Sequence, residues 1–130
     1  MIFEKFLVEI ISPDRSIIKT ETNEVVIPSY EGEMGILKDH IPLITFLRPG
    51  LIKISGEKDI KYFVEEGVVE FSDNNLLILT STAKDLKEMD NDLINNIISN
   101  EEKNLNSDQS SDKQKYLISY KINTLKEINQ

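Results

Sequence analysis

One histidine, His40, and two adjacent carboxylate pairs, Glu65-Glu66 and Glu101-Glu102, are the side chains with which this chain could do acid–base work. A lone histidine excludes a multi-histidine metal site or a histidine pair within one chain. As a general base it needs a nucleophile and an orienting carboxylate within hydrogen-bond reach, and no spacing ties Ser29, Glu31 or Asp39 to it. A loop histidine that packs or hydrogen-bonds at a partner surface is the simpler reading. Adjacent residues in a strand point to opposite faces, so Glu65, at a strand end, and Glu66 need not meet as the facing pair of a glycoside hydrolase does. Glu101 and Glu102 read as solvated carboxylates on a helix surface. Gly32 and Gly35 could cradle a phosphate, but a P-loop ends in Gly-Lys-Ser/Thr and opens a helix. Here Leu37-Lys38-Asp39-His40 runs into Pro42. The two glycines read instead as positive-φ positions in a turn. With no cysteine, disulfides and thiolate metal sites are out. The residues thus offer no catalytic, cofactor or metal site.

The elements that must position His40 come next. It lies in the window Val26 to Gly50, which also holds Pro28, Pro42, Pro49, Gly32, Gly35 and Gly50. Such a stretch is expected to be a shaped loop between strands, because proline removes a ladder donor and glycine takes unusual φ. Around it the pattern is alternating runs broken by turn residues: 6–10, 16–19, 24–28, 43–47, 51–55, 60–65, 68–71 and 76–80. About eight strands at this spacing predict an antiparallel sandwich of two packed sheets over residues 1–84.

From Asp85 onward glycine and proline vanish and the apolar period moves toward 3.6. Leu86, Met89, Leu93 and Ile97, widened by Ile94 and Ile98, predict a helix from about 86 to 104, with Asp85 and Glu88 as a capping-box-like start. The segment 106–112 is wholly polar and reads as a connection. Ile118, Ile122, Leu125 and Ile128 predict a second helix from about 112 to 128, giving an α-helical hairpin over residues 85–130. Residues 85 to 112 hold eight carboxylates against two lysines, whereas 113 to 130 hold four lysines and one carboxylate. The two helices should therefore attract one another.

The net charge of −8 opposes phosphate binding, so nucleic acid is a poor partner. Nothing approaches the ~20 apolar residues of a spanning helix, so no direct membrane insertion is expected. Glu4, and the absence of a basic flank before an apolar run, argue against a signal peptide and for a cytoplasmic address.

The order Glu31-Gly32-Glu33-Met34-Gly35-Ile36-Leu37, His40-Ile41-Pro42-Leu43 and Leu47-Arg48-Pro49-Gly50 resembles the epsilon subunit family of the F-type, rotary ATP synthase. Phe63-Val64-Glu65-Glu66-Gly67-Val68-Val69-Glu70 extends the likeness, with Glu66 where the family has the first of two glycines. So does the apolar run Leu76 to Leu79, and the resemblance spans the whole chain. It implies a noncatalytic rotor subunit of the central stalk, without cofactor, peripheral at the cytoplasmic face of the energy-transducing inner membrane. Its sandwich would couple the gamma subunit to the membrane c ring during proton- or ion-driven ATP synthesis. Residue by residue, Ser12, Glu33, His40 and Ile41 match positions that face the c ring, and His40 and Thr45 match positions close to gamma.

Family members that block hydrolysis reach the catalytic alpha and beta subunits with a basic last helix. Lys113, Lys115, Lys121 and Lys126 match that character as possible inhibitory contacts. ATP-binding members carry an arginine motif at the first helix, yet this chain has no arginine after Arg48, so weak or absent ATP binding is expected. A free-standing sandwich adaptor with a helical tail, and a small-molecule-binding sandwich using His40, are the alternatives that the residues alone leave open.

Overall fold

Ten strands precede two helices in the computed structural model, which describes residues 4–107 and 109–128. The strands are β1 (Phe6–Ile11), β2 (Ser16–Thr22), β3 (Glu24–Ser29), β4 (Gly32–Leu37), β5 (Leu43–Leu47), β6 (Gly50–Ser55), β7 (Ile60–Val64), β8 (Gly67–Ser72), β9 (Asn75–Leu79) and β10 (Lys84–Asp85). They form one curled sheet in the order β10-β7-β6-β3-β5-β8-β9-β1-β2, with β4 paired to β3. The curl turns at a single bridge, Ser29 with Leu47, so that β4-β3-β6-β7-β10 and β5-β8-β9-β1-β2 act as the two layers of a β-sandwich. Every pairing is antiparallel except β1 with β9, where Leu7 sits beside Asn75 and Ile11 beside Leu79.

Period-two alternation builds the core. Phe6, Val8 and Ile10 of β1, Val25 and Ile27 of β3, and Ile52 and Ile54 of β6 point inward and are buried. Phe6 meets Phe71 edge to face at 5.7 Å, a favoured quadrupole geometry. Two glycines are required for different reasons, one by close approach and one by backbone conformation. A Cβ on Gly67 would stand 2.7 Å from the Leu79 carbonyl oxygen, and Gly32, at φ 121, turns the chain between β3 and β4. Gly35 does not have positive φ.

The shaped loop expected between the strands at 24–28 and 43–47 is corrected in its middle. Residues 32–37 form β4, because Met34 and Ile36 alternate inward between exposed Glu33, Gly35 and Leu37. The first helix also starts later than expected. The Asp85 side chain accepts from the Lys87 amide and caps only a 3-10 turn, Leu86–Glu88. Asp90 accepts from the Leu93 amide at 2.8 Å and caps the true helix α1 (Asn91–Leu105). The polar connection follows; Asp108 within it lies outside the described residues. α2 (Asp112–Ile128) opens with a reciprocal capping box: the Gln114 amide donates to Ser111 Oγ and the Ser111 amide to Gln114 Oε1.

The helices pack together and onto β6 and β7. Ile94, Ile98, Ile122 and Leu125 bury against Phe63 of β7, with Leu51 of β6 beside them. Leu93, expected on the buried stripe, is 39% exposed, since the packed face of α1 centres on Ile94 and Ile98.

Candidate functional site

The two layers of the sandwich carry apolar outer faces, and the chain covers only one. Over β6 and β7 lies the helical hairpin. Over β5-β8-β9-β1 no described element packs, and the outward residues there are Ile44 and Phe46 of β5, Val68 of β8, Leu77 and Leu79 of β9 and Ile11 of β1. They adjoin one another through the pairs Phe46 with Val68, Val68 with Leu79, and Leu79 with Ile11. Ile44 is 72% exposed and Phe46 60%. Glu70, exposed beside Ile44, and Glu9, opposite Lys19, give the patch a charged border. A contiguous apolar patch with a polar rim is the ordinary form of a protein–protein contact.

Thr45 lies on this strand but on its inner row, paired with Val69. The exposed side chains are its neighbours Ile44 and Phe46, which the sequence reading passed over. The alternation of β5 held the signal: if Leu47 faces the core, Phe46 and Ile44 face out.

The expected ring-facing set does not sit on one loop. Glu33 is on β4 opposite Pro28, and Ser12 follows β1 in a turn where its hydroxyl donates to the Arg15 carbonyl at 3.1 Å. Both lie at the end of the sandwich marked by Ser29, Leu47 and Leu79. His40 and Ile41 lie at the other end, past Leu37. The four steps from Glu33 to Leu37 in β4 span roughly 14 Å of extended chain, enough to separate the two groups.

At that far end the loop is tied down. The His40 amide donates to the Leu37 carbonyl at 3.1 Å, its Nδ1 stands 2.7 Å from the Ile41 carbonyl oxygen, and its ring meets buried Phe71 edge to face at 5.9 Å. His40 thus has no carboxylate or hydroxyl partner among the described contacts, and the arrangement is one of packing rather than proton transfer. Ile41 projects from the loop, 74% exposed.

The near end joins the hairpin. Thr82 Oγ1 accepts from the Glu65 amide at 2.9 Å, and the Thr80 hydroxyl donates to the Glu66 carbonyl at 2.6 Å, pinning the β7–β8 turn. Lys121 of α2 lies 2.5 Å from Glu65 and 3.3 Å from Glu101, with only 15% of its side chain exposed. The Arg48 guanidinium stacks 4.0 Å over the Tyr120 ring, and Tyr120 meets Tyr116 edge to face at 4.8 Å. Tyr116, beside Tyr120, has its phenol pKa raised above the ordinary value, first by its hydrogen bond to that residue. An open cleft of about 510 Å³ lies here, lined by Tyr30, Glu65, Glu66, Glu101, Lys113 and Lys121 among others.

Glu101 therefore does not float in solvent as the sequence suggested; it is half of an ion pair, while Glu102 remains exposed, 3.9 Å from Lys126. Of the four lysines expected at a catalytic partner, Lys121 and Lys126 are engaged within the chain. Among the described residues, Lys113 and Lys115 make no ion pair within 4.0 Å. No group of three or more potential metal ligands occurs among them, and no helix is long and apolar enough to cross a membrane.

The sandwich and its helical hairpin have counterparts among known proteins. The family described as ATP synthase, Delta/Epsilon chain, beta-sandwich domain matches residues 5–85. An ATP synthase epsilon chain of Pelagibacter ubique is 47% identical, covering 97% of this chain and 98% of its own. A chloroplastic epsilon chain of Pyropia yezoensis is 34% identical over 88% of this chain and 86% of its own. Among solved structures, a chain of the Euglena gracilis mitochondrial ATP synthase, solved as OSCP/F1/c-ring, superposes with a TM-score of 0.83 at 22% identity, covering 97% of this chain and 82% of its own. A chain from the central stalk/c-ring of the Tetrahymena thermophila enzyme gives 0.66 at 15% identity, covering 98% of each.

Proposed function

Since the chain belongs to the ATP synthase delta/epsilon family and is an epsilon chain by its relatives, we propose that it is a noncatalytic rotor subunit joining gamma to the c ring. The observation that carries this reading is the bare apolar face around Ile44, Phe46 and Leu79 on an otherwise well-packed sandwich. Gamma docks on that face, with Thr45 lying beneath it and His40 and Ile41 at its border. Ser12 and Glu33, at the opposite end, meet the c ring. This divides the residues that the resemblance grouped at the ring, because one flat ring surface does not reach both ends of the sandwich. Close packing of the core lets the domain transmit torque without deforming. The ATP hydrolysed or made belongs to other subunits, and the chain sits peripherally at the cytoplasmic membrane face through its ring contact.

The chain divides functionally near residue 84, the sandwich coupling and the hairpin regulating. With the hairpin docked, Lys121 is held by Glu65 and Glu101, so inhibition of hydrolysis through it requires the helix to leave the sandwich. Lys113 and Lys126, both exposed, are the lysines accessible to a catalytic subunit before that happens.

Co-purification tests the central reading. Phe46→Glu in the full chain should lose the gamma subunit while the protein stays folded; a variant that still co-purifies stoichiometrically with gamma overturns it. Removing residues 86–130 should raise ATPase activity of the assembled complex, and unchanged activity argues against regulation.

A further inference from the structure

The loop that carries His40 and Ile41 is fastened by a residue that lies 35 positions away. Asp39 has φ 66, in the left-handed region that residues other than glycine visit only singly and with local support. Across from it, the tip of the β8–β9 hairpin holds Asp73 and Asn74 at φ 51 and 59, the paired positive values of a two-residue turn that Asn and Asp tolerate best.

The two turns meet side by side. The Asp39 amide donates to Asn74 Oδ1 at 2.7 Å, and Asn74 Nδ2 donates back to Asp39 Oδ1 at 3.0 Å. Asn74 is anchored in turn, because its carbonyl accepts the Leu7 amide at 3.1 Å where β1 enters the sheet. The carboxamide is the one side-chain group of this size that offers an acceptor to the amide and a donor to the carboxylate at once.

We propose that Asn74 is the positioning residue for the partner-facing loop: it stabilises the left-handed turn at Asp39 and so sets the direction in which Ile41 projects. The inference rests on the reading that this loop borders the gamma contact, and it adds a residue that itself need not touch the partner. Without the clamp, Ile41 keeps its chemistry but samples many directions, and ordering it must then be supplied on binding. The hairpin tip of one layer thereby fixes the contact geometry of the β4–β5 connection.

A charge swap tests this in the full chain. Asn74→Asp keeps size and turn preference but removes the donor and brings a second carboxylate against Asp39. Amide exchange at Asp39 and His40 should speed up, and affinity for purified gamma should fall about tenfold, the effect of losing one charge-assisted hydrogen bond. Asp39→Asn combined with Asn74→Asp restores a donor facing a carboxylate and should recover both to within about threefold, a rescue that general destabilisation does not give. If Asn74→Asp loosens the loop and gamma binding is unchanged while Phe46→Glu abolishes it, the positioning role is overturned and the gamma reading stands. If Asn74→Asp weakens gamma binding and Phe46→Glu does not, the positioning role stands and the bare-face reading falls. Unchanged amide exchange in Asn74→Asp overturns the clamp itself.

Discussion

The covered face over β6 and β7 and the bare face over β5, β8, β9 and β1 are built from the same ingredients. Each is a row of outward aliphatic and aromatic residues on a twisted sheet. On the covered face Phe63 is 1% exposed, and on the bare face Phe46 is 60% exposed. The difference is only whether the same chain supplies the lid. Where it does, the contact behaves as a second core, with Ile94, Ile98, Ile122 and Leu125 completing it. Where it does not, the apolar surface is available to another subunit. Apolar rows on two faces thus give stability where the chain supplies a lid and leave a surface open to association where it does not.

The contrast can be broken most forcefully at Phe63. Phe63→Ala should cost about 3–5 kcal/mol in chemical denaturation, as expected for an aromatic removed from a packed site. Phe46→Glu, by contrast, should shift stability of the isolated chain by no more than about 0.5 kcal/mol while weakening gamma binding by about 30-fold or more. Similar stability losses for both would erase the distinction between the faces.

The polar seam of the covered face comes next. Lys121→Ala strands two part-buried carboxylates and should cost about 1–2 kcal/mol, between an exposed and a buried pair. Lys126→Ala, at an exposed pair, should cost less than about 0.5 kcal/mol by the same denaturation measurement.

Tyr62 gives the mildest test. Burial, then the charges of Asp85 and Glu88, hold its phenol pKa above the ordinary value. A raised folded pKa means its contribution is intact below about pH 10, where an unfolded tyrosine ionises, and is lost as pH climbs through the higher folded value. Thermal melts of Tyr62→Phe above pH 10 should fall less steeply than those of the parent chain.

Much of this architecture could be read from residues alone. The alternation in 6–10 and 51–55 and the 3.6 period in 112–128 are each enforced by one buried face, so pattern and structure coincide. β4 escaped because Gly32 and Gly35 carry turn character, which outweighed the short alternation of Met34 and Ile36. The start of α1 was misread because Asp85 and Asp90 are both competent caps, and only the path of the chain past β10 decides that the second begins a long helix. The exposed pair Ile44 and Phe46 is legible in the parity of β5, since a core-facing Leu47 turns both outward and leaves Thr45 on the inner row. The Asp39–Asn74 clamp was not legible at all, since nothing in the local sequence of either turn announces a partner 35 residues away. Likewise, the capture of Lys121 by Glu65 depends on how the hairpin folds back.

The lone parallel pairing of β1 with β9 governs how the chain is made. β1 and β2 can zip into a hairpin as soon as residue 22 has emerged, but the other edge of β1 has no neighbour until residues 75–79 exist. During synthesis, Phe6, Val8 and Ile10 therefore wait for a strand nearly seventy residues downstream. Closing so long a loop slows folding more than any of the adjacent hairpins does. Until Leu79 arrives, that early hairpin is an unpaired apolar edge, and this interval is when the nascent chain is most exposed to misassociation.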